Sequence, residues 1–293
     1  KSFKKIYVSD SAVEEQKPRY IRTIKEFINL FGDDRDVFVL SAPGRTEVCG
    51  NHTDHNNGKV LAASINLDAI AIAAKRDDMK INEKSEGHGL NEVDISTLSP
   101  DEAEYGRSSS MIKGVAAGLK EKGYEIGGFD ACTTSDVMGG SGLSSSAAFE
   151  VLIATVINHL YNDGKIDAVT VAKAAQFSEN VYFGKPSGLL DQMASSVGTF
   201  VTIDFKDTAN PVIKKVDFDF AKSGYSLCIV DTHGNHSDLT DDYAAVRGEM
   251  EAVAKAMGKN VLREVEYEEF FQSLDVLKEK VNDRALLRAF HFF

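Results

Sequence analysis

A glycine- and serine-rich turn leads directly into a long apolar helix pattern at residues 136–160, which read D-V-M-G-G-S-G-L-S-S-S-A-A-F-E-V-L-I-A-T-V-I-N-H-L. Three glycines are followed by three serines, and then by apolar residues at helical spacing until the turn at residues 162–164. Glycine lets backbone N–H groups come close to a ligand, and serine is common where helices begin. Because a helix N-terminus carries partial positive charge and unpaired N–H groups, this stretch predicts a binding site for an anion, most often phosphate.

Two common phosphate-binding patterns do not fit this stretch. A P-loop needs Gly-Lys-Ser/Thr, and no lysine lies between Lys122 and Lys165. A dinucleotide-binding fingerprint needs a third glycine where Ser145 stands, and then a strand, whereas residues 168–183 predict a second helix. What remains is a phosphate loop of another type, or a glycine-rich turn with a purely structural role.

The composition is that of a soluble globular protein. The chain has 293 residues, of which 43% are hydrophobic and 27% charged, enough for one large or two ordinary domains. Its net charge of −12 argues against nucleic acid and anionic membrane as main partners. The cysteines Cys49, Cys132 and Cys228 show no paired spacing, and residues 1–20 carry no signal peptide, so we expect a cytoplasmic protein with reduced thiols and no membrane span.

The remaining periodicity alternates between helix and strand. Residues 1–18 predict a loose polar arm, and the break Ser41-Ala42-Pro43-Gly44 is expected to end a short strand at 37–40. Helices are predicted at 19–31, 111–122 and 238–257, the last with Ser237 as N-cap. Strands are predicted at 60–75, 129–134, 200–204 and 225–230, with edge strands and loops between 76 and 108. The polar stretch after residue 205 predicts a domain boundary there. Residues 1–205 would form an N-terminal domain, and residues 206–293 would form part of a second domain.

A dense polar segment, R-T-E-V-C-G-N-H-T-D-H-N-N-G at 45–58, stands between runs typical of core strands. Such side chains usually line a site, because burying each without a partner costs roughly 1–3 kcal/mol. His52 and His55 have a spacing seen in metal sites, but no third ligand with matching spacing is nearby, which disfavours zinc. The same holds for His233 and His236.

Three further polar residues have plain structural interpretations when taken singly. Asp191 follows the turn G-K-P-S-G-L-L and could be a helix N-cap. Glu179 falls midway along the predicted second helix and could lie on a solvated face. Arg45 could be a surface charge.

Four ordered segments together resemble the galactokinases, a branch of the GHMP kinases. Residues 139–148, G-G-S-G-L-S-S-S-A-A, resemble the central GHMP motif, and residues 42–58, A-P-G-R-T-E-V-C-G-N-H-T-D-H-N-N-G, resemble the galactokinase signature. G-K-P-S-G-L-L-D-Q at 184–192 resembles the segment with the catalytic aspartate, and residues 231–247 resemble the segment that opens the second domain. The resemblance implies an α+β, two-domain GHMP-kinase fold with the active site between the domains.

The resemblance also implies a reaction, the ATP-dependent phosphorylation of galactose to galactose 1-phosphate, and a role for each matching residue. Asp191 would orient or deprotonate the anomeric hydroxyl, and Arg45 would stabilise the developing charge. Ser145 and Glu179 would bind Mg²⁺. The residues that would hold the sugar are Asn51, His52, Asp54, Gly188 and Tyr243. The residues that would cradle the ATP phosphates are Gly139, Gly140, Ser141, Gly142, Leu143, Ser144, Ser145 and Ser146.

The chain also departs from the family pattern. Asn51 stands where galactokinases carry a sugar-binding Glu, and His55 stands for the usual Tyr. Residues 108–111 lack the aromatics expected near adenine, and the family's C-terminal Gly-Phe-Gly-Gly motif is absent, which predicts a truncated chain. Two alternatives therefore stay open: a kinase for a related sugar such as galacturonate or N-acetylgalactosamine, and a catalytically silent sugar sensor. Retention of the catalytic pair and the metal ligands favours an enzyme.

Overall fold

A computed structural model describes residues 3–7, 9–218, 220–225, 227–230 and 240–293. By its contacts the chain divides into two compact units. Unit 1 comprises Lys1–Arg45 and Ser64–Gly198, and unit 2 comprises Thr46–Ala63 and Thr199–Phe293. The boundary predicted between residues 205 and 206 stays a prediction.

The described elements mix helices and strands, as expected for an α+β chain. The helices are α1 Phe3–Tyr7, α2 Asp10–Phe31, α3 Ser108–Glu121, α4 Ser145–Tyr161, α5 Ala168–Phe177, α6 Leu190–Val197, α7 Phe220–Ser223, α8 Thr240–Ala256, α9 Tyr267–Gln272, α10 Leu274–Lys278 and α11 Asp283–Phe292. The strands are β1 Phe38–Cys49, β2 Lys59–Lys75, β3 Lys80–Ser85, β4 Leu90–Asp94, β5 Phe129–Ser135, β6 Phe200–Asp204 and β7 Val212–Val216. Single 3₁₀ turns lie at Thr53–Asn56, Glu102–Glu104 and Leu262–Glu264, and a π-helical turn lies at Ser178–Tyr182.

In unit 1 the strands run in the order β4, β3, β5 and the second half of β2. β3 is antiparallel to β4 and parallel to β5, and β5 is antiparallel to β2, with Ile72 opposite Cys132. The A-I-A-I-A-A text of β2 is buried because α2 packs against one face of the sheet and α3, α4 and α5 form the core with the other. The apolar run of α4 is therefore buried almost throughout.

In unit 2 the first residues of β2 pair antiparallel with β6, and β6 pairs antiparallel with β7. Helices α8, α9, α10 and α11 enclose a second apolar cluster around Phe270, which has no exposed surface. Each unit therefore has an apolar core of its own.

The prediction of a loose arm at residues 1–18 is wrong. Helix α2 begins at Asp10, capped by Ser9, whose hydroxyl accepts a hydrogen bond from the Ala12 N–H at 3.1 Å. The arm is ordered because Tyr7 and Tyr20 are buried against Ile70, and the Tyr7 hydroxyl donates to Asp68 Oδ2 at 2.8 Å. These contacts join positions far apart in sequence, so local polarity gave no sign of them.

The expected strand break at residues 41–44 is also wrong, since β1 continues through Pro43 to Cys49. Proline has no N–H to donate to a neighbouring strand, so sheets tolerate it mainly on edge strands. β1 pairs with β2 and, within the described residues, with no other strand. β1 can therefore continue past Pro43 and include Arg45, the last residue of the first segment of unit 1.

Most of the other predicted elements are confirmed, with shifted ends. The helix after the glycine loop is α4, and the second predicted helix is α5 together with the π-helical turn. Tyr225 and residues 227–230 form no strand, and residues 231–239, with His233, His236 and Ser237, lie outside the described residues, as does the side chain of Tyr243. None of the described helices is long and apolar enough to cross a membrane.

Candidate active site

The glycine-rich loop, residues 136–144, joins the end of β5 to the N-terminus of α4 in unit 1. Its backbone is left-handed at Gly140 (φ 72°), Gly142 (φ 76°) and Ser144 (φ 59°). Successive N–H groups in such turns form concave binding places for anions, and the positive end of the helix dipole adds to them. Ser144 is not a glycine, so its left-handed backbone costs free energy of the kind often found at functional sites. The loop thus has the conformation that the sequence predicts.

Arg45 and Asp191, 146 positions apart in sequence, form an ion pair beside this loop. Arg45 Nε donates to Asp191 Oδ1 at 2.7 Å, and Arg45 Nη1 donates to the Gly142 carbonyl at 2.5 Å. The Ser144 hydroxyl donates to the other carboxylate oxygen, Oδ2. The Asp191 carboxylate is therefore fixed in orientation on both oxygens, while about a third of the side chain stays exposed.

Gly44 allows Arg45 to reach the loop. A Cβ atom at position 44 would lie 3.0 Å from the Leu143 carbonyl oxygen and 3.0 Å from a Val137 methyl group. The Arg45 N–H donates to that same Leu143 carbonyl at 3.1 Å. Because strand β1 and the loop are this close, a side chain at position 44 would push the guanidinium away from Asp191.

Glu179, the predicted metal ligand, is buried in the π-helical turn that continues α5. Its carboxylate accepts hydrogen bonds from the Ser146 hydroxyl at 3.2 Å, from Gln192 Nε2 at 2.7 Å and from Lys185 Nζ at 3.0 Å. Turns of π-helix are frequent at functional sites. The hydroxyl that contacts Glu179 is that of Ser146, one residue after the predicted ligand Ser145.

A second acidic residue, Glu150, lies behind Glu179 on α4 and has no exposed surface. Its Oε2 accepts a hydrogen bond from Gln192 Nε2 at 3.2 Å, and its Oε1 has no partner among the described residues. Burial, reinforced by the negative charge of Glu179, raises the pKa of Glu150 well above the ordinary range. The Glu150 carboxyl therefore keeps its proton to higher pH than an exposed glutamate does.

Lys185 is the positive group of this cluster. Desolvation alone would lower the pKa of its ammonium, but the carboxylate of Glu179 outweighs that effect and raises it. The lysine side chain stays largely exposed. The site therefore combines a buried carboxylate with a largely exposed cation beside the glycine-rich loop.

The predicted sugar ligands fall into both units. Arg45, Asp191 and Gly188 belong to unit 1, with Gly188 in the turn before α6. Asn51, His52 and Asp54 belong to unit 2, where Asp54 lies on the 3₁₀ turn after β1 and His52 is the N-cap residue of that turn. Within unit 1 the structure brings together the predicted catalytic pair, the phosphate loop and Glu179.

Sequence reasoning missed Glu150, Gln192 and Lys185. Glu150 carried a signal, since it is the one charged residue between Ala147 and Ile157 in an apolar helix, and an isolated charge there needs a partner. Lys185 carried none, because a lysine in a Gly-Pro turn reads as a surface residue.

The chain matches two family profiles. Residues 25–75 match the galactokinase galactose-binding signature, and residues 110–199 match the N-terminal domain of GHMP kinases. It is similar to galactokinase of Streptomyces coelicolor, with 33% identity over 90% of this chain and 68% of the relative. It is also similar to galactokinase of Clostridium tetani, with 32% identity over 91% of this chain and 67% of the relative.

Solved structures give the same result. A Lactococcus lactis galactokinase complexed with galactose superposes with a TM-score of 0.74 at 27% identity, covering 93% of this chain and 70% of that one. A mevalonate kinase, at 13% identity and a TM-score of 0.51, shares the fold over 63% of this chain. Together with the loop, the Arg45–Asp191 pair and the two matching profiles, these likenesses establish that the chain belongs to the galactokinase family of GHMP kinases.

Proposed function

We propose that this chain transfers the γ-phosphoryl group of ATP to the anomeric hydroxyl of galactose, giving galactose 1-phosphate and ADP. The observation that carries the proposal is the Asp191 carboxylate, held by Arg45 on one oxygen and by Ser144 on the other, next to the glycine-rich loop. An acceptor for a hydroxyl proton and a binding place for phosphates are the two parts that such a transfer needs.

Asp191 is the residue that receives the hydroxyl proton. As the sugar oxygen bonds to the γ-phosphorus, the proton passes to the carboxylate, the bond to the bridging oxygen breaks, and ADP leaves. Arg45 stabilises the negative charge on the reacting oxygens from its fixed place between Asp191 and the Gly142 carbonyl. Phosphoryl transfer needs positioning and charge neutralisation more than covalent help, which suits a pair that is already in place.

The phosphates of ATP bind to the loop and to the N-terminus of α4. Backbone N–H groups of residues 139–146 supply hydrogen bonds, as the left-handed backbone at three of these residues and the helix N-terminus favour. Lys185 contacts Glu179, which contacts Ser146 in the first turn of α4. The lysine is therefore near enough to the loop to share in neutralising the phosphate charge.

The donor set beside the loop fits a hard divalent cation. Glu179 offers a buried carboxylate and the loop offers serine hydroxyls, which are the oxygen ligands that Mg²⁺ prefers. Glu179 and Ser145 would hold the ion, with the Ser146 hydroxyl on the same carboxylate. Bound Mg²⁺ would neutralise charge on the β- and γ-phosphates.

The sugar hydroxyls are held by Asn51, His52, Asp54, Gly188 and Tyr243, and the protein acts in the cytoplasm. A related sugar is the second candidate, because Asn51 replaces the acidic residue of the family signature. A neutral amide removes a charge that would repel a substrate with a carboxylate at C6.

The test is an ADP-release assay on the chain with galactose, galacturonate and N-acetylgalactosamine, each with and without Mg²⁺. We expect turnover with galactose, and a fall in kcat of roughly 10²–10⁴-fold for Asp191→Asn, which keeps the size but not the proton acceptor. Thermal unfolding of the variant checks that the fold persists. Galactose binding without ADP release would identify a sensor and contradict the proposal.

A further inference from the structure

Three side chains able to bind a metal meet at the 3₁₀ turn Thr53–Asn56 of unit 2 and its N-cap residue His52, and Asp54 is the third ligand that the histidine spacing did not indicate. His52, Asp54 and His55 each offer one ligand atom, and these atoms all lie within 4.8 Å of one another. The two imidazole rings have centroids 6.0 Å apart with 38° between their planes. Two imidazoles on one tetrahedral zinc would have centroids roughly 5 Å apart, given Zn–N bonds of about 2.0 Å. Small side-chain rotations would therefore bring both histidines onto one ion.

The turn that carries these ligands is fixed on all sides. The Thr53 hydroxyl donates to the Gly50 and Lys59 carbonyls at 2.8 and 2.9 Å. Asn56 Oδ1, which is fully buried, accepts a hydrogen bond from the Leu262 N–H at 3.1 Å. A rigid backbone of this kind lowers the entropy cost of assembling a site, as binding to preorganised groups generally does.

An independent observation comes from Asp54. Its side chain is only 8% exposed, and its Oδ1 has no hydrogen-bond partner among the described residues. A buried carboxylate oxygen without a partner is costly, and coordination of a cation relieves that cost. One oxygen of this same carboxylate lies within 4.8 Å of the histidine ligand atoms.

We propose that His52, Asp54 and His55 bind a divalent transition cation of the zinc class, with a fourth position open to water or ligand. Two imidazoles and one carboxylate are a ligand set that selects Zn²⁺ or Co²⁺ over Mg²⁺, which prefers oxygen alone. The site is therefore distinct in chemistry from the Glu179 site. His55 stands where the family signature usually has tyrosine, so this third ligand is a feature of this chain.

The consequence is a competition between metal and sugar, which rests on the proposed function because His52 and Asp54 are then shared ligands. A cation that occupies both side chains removes them from the sugar hydroxyls. By linkage, galactose must weaken metal binding by the same factor as the metal weakens galactose binding. A transition cation would thus inhibit the kinase at its sugar site rather than at its ATP site.

The first experiment titrates the chain with Co²⁺ and follows the visible absorption of tetrahedral cobalt, then displaces the cobalt with Zn²⁺. We expect one equivalent to bind, and His55→Tyr to weaken binding at least about tenfold, since loss of a ligand costs no less than loss of its supporting residue. The matched control is His88→Tyr, an exposed histidine in unit 1. Absence of the cobalt signal, or equal affinities for wild type and His55→Tyr, would overturn the proposal.

A second experiment repeats the cobalt titration in saturating galactose. A several-fold loss of apparent affinity supports the shared ligands, and an unchanged affinity overturns the competition. Assays of ADP release in buffer that contains Mg²⁺ but no transition metal test the kinase function separately from the proposed metal site. Failure of phosphorylation there contradicts the kinase function, whereas failure of the cobalt signal contradicts only the metal site.

Discussion

At the scale of single residues, the raised pKa of Glu150 makes the stability of the protein depend on pH. The folded chain keeps a proton on Glu150 at pH values where the unfolded chain has lost it, because burial raises the pKa in the folded state only. Stability from this residue is complete below the ordinary pKa of glutamate and declines as pH rises towards the folded pKa. The slope is up to about 1.4 kcal/mol per pH unit for one proton.

We predict that Glu150→Gln removes this slope, because the amide matches the protonated acid in size and cannot ionise. The measurement is the free energy of unfolding in urea between pH 5.5 and 8, for wild type, Glu150→Gln and the exposed control Glu92→Gln. Parallel pH profiles for wild type and Glu150→Gln would show that the carboxyl is ionised in the folded protein.

Asn51 is the second residue with a specific prediction. It lines a cleft of unit 2 together with His52, Arg288 and His291. The His291 Nε2 atom lies 2.9 Å from the backbone carbonyl oxygen of Asn51. A carboxylate at position 51 would repel a C6 carboxylate on the sugar, by about 4 kcal/mol at 4 Å and an effective dielectric near 20.

We therefore expect Asn51→Glu to raise the galactose to galacturonate ratio of kcat/KM, chiefly through loss of galacturonate turnover. Asn51→Gln is the control, since it changes size without charge. The ratio is measured at fixed pH and salt. If Glu and Gln at this position give the same ratio, the residue does not face C6 of the sugar.

The sequence indicated Arg45 and Asp191, which the structure brings into contact, but not their other partners. Asp191 and Arg45 stand in segments whose spacing resembles a family motif, so each could be named from local text. That Ser144 donates to Asp191, and that Gln192 contacts both Glu150 and Glu179, depends on how three helices and a loop pack. Hydrogen bonds between positions 13 to 47 apart leave no periodic signal in a single sequence.

At the scale of elements, the loop before α4 depends on backbone that only glycine adopts without strain. Gly142 has φ 76° and no neighbouring atom within 4 Å of where a Cβ would be, so an alanine there would be strained by its backbone rather than by crowding. Gly87, in the turn between β3 and β4, has φ 79° and equally open surroundings. The two positions differ only in what their loops do.

We predict that Gly142→Ala and Gly87→Ala cost similar stability, on the order of 1 kcal/mol, from the left-handed conformation. Only Gly142→Ala should raise KM for ATP, because its N–H groups face the proposed phosphate site. Thermal unfolding and ATP saturation kinetics on both variants give the comparison. Equal KM values would mean that the loop does not hold the nucleotide.

The helices and strands also show which parts of the secondary structure the sequence patterns did not predict. The helix after the glycines was predictable because its caps and apolar spacing are local, and β2 because its alternation is long. Residues 10–18 of α2 were not, since their order depends on contacts distant in sequence, such as the ion pair of Arg19 with Asp68 on β2. β1 was predicted too short because its tolerance for Pro43 follows from its place at the edge of the sheet.

At the scale of the whole molecule, the two units have separate apolar cores, and a core substitution should act within its own unit. Phe270 on α9 is fully buried among rings and helices of unit 2. We predict that Phe270→Ala destabilises the protein by about 3–5 kcal/mol. The exposed neighbour Val276, on α10, provides the control Val276→Ala, with a change within roughly 0.5 kcal/mol.

Hydrogen exchange followed by mass spectrometry locates the effect of Phe270→Ala. Amides of α8, α9 and α11 should exchange faster than in wild type, whereas those of α4 and β5 should keep their protection. Uniformly faster exchange along the chain would show one cooperative core instead of two.

The separation of Arg45 and Asp191 in sequence also determines when, during synthesis of the chain, these two residues can meet. A ribosome adds about 5–20 residues per second, so the 146 residues after Arg45, up to and including Asp191, take on the order of 10 s to synthesise. During that time the phosphate loop can already follow β5, but the arginine that will be buried beside it has no carboxylate to meet. A nascent chain halted before residue 191 would contain the loop and Arg45, but not the carboxylate that the proposed transfer needs as proton acceptor. The proposed catalytic pair can therefore form only after α6 has been synthesised and has packed against α4 and α5.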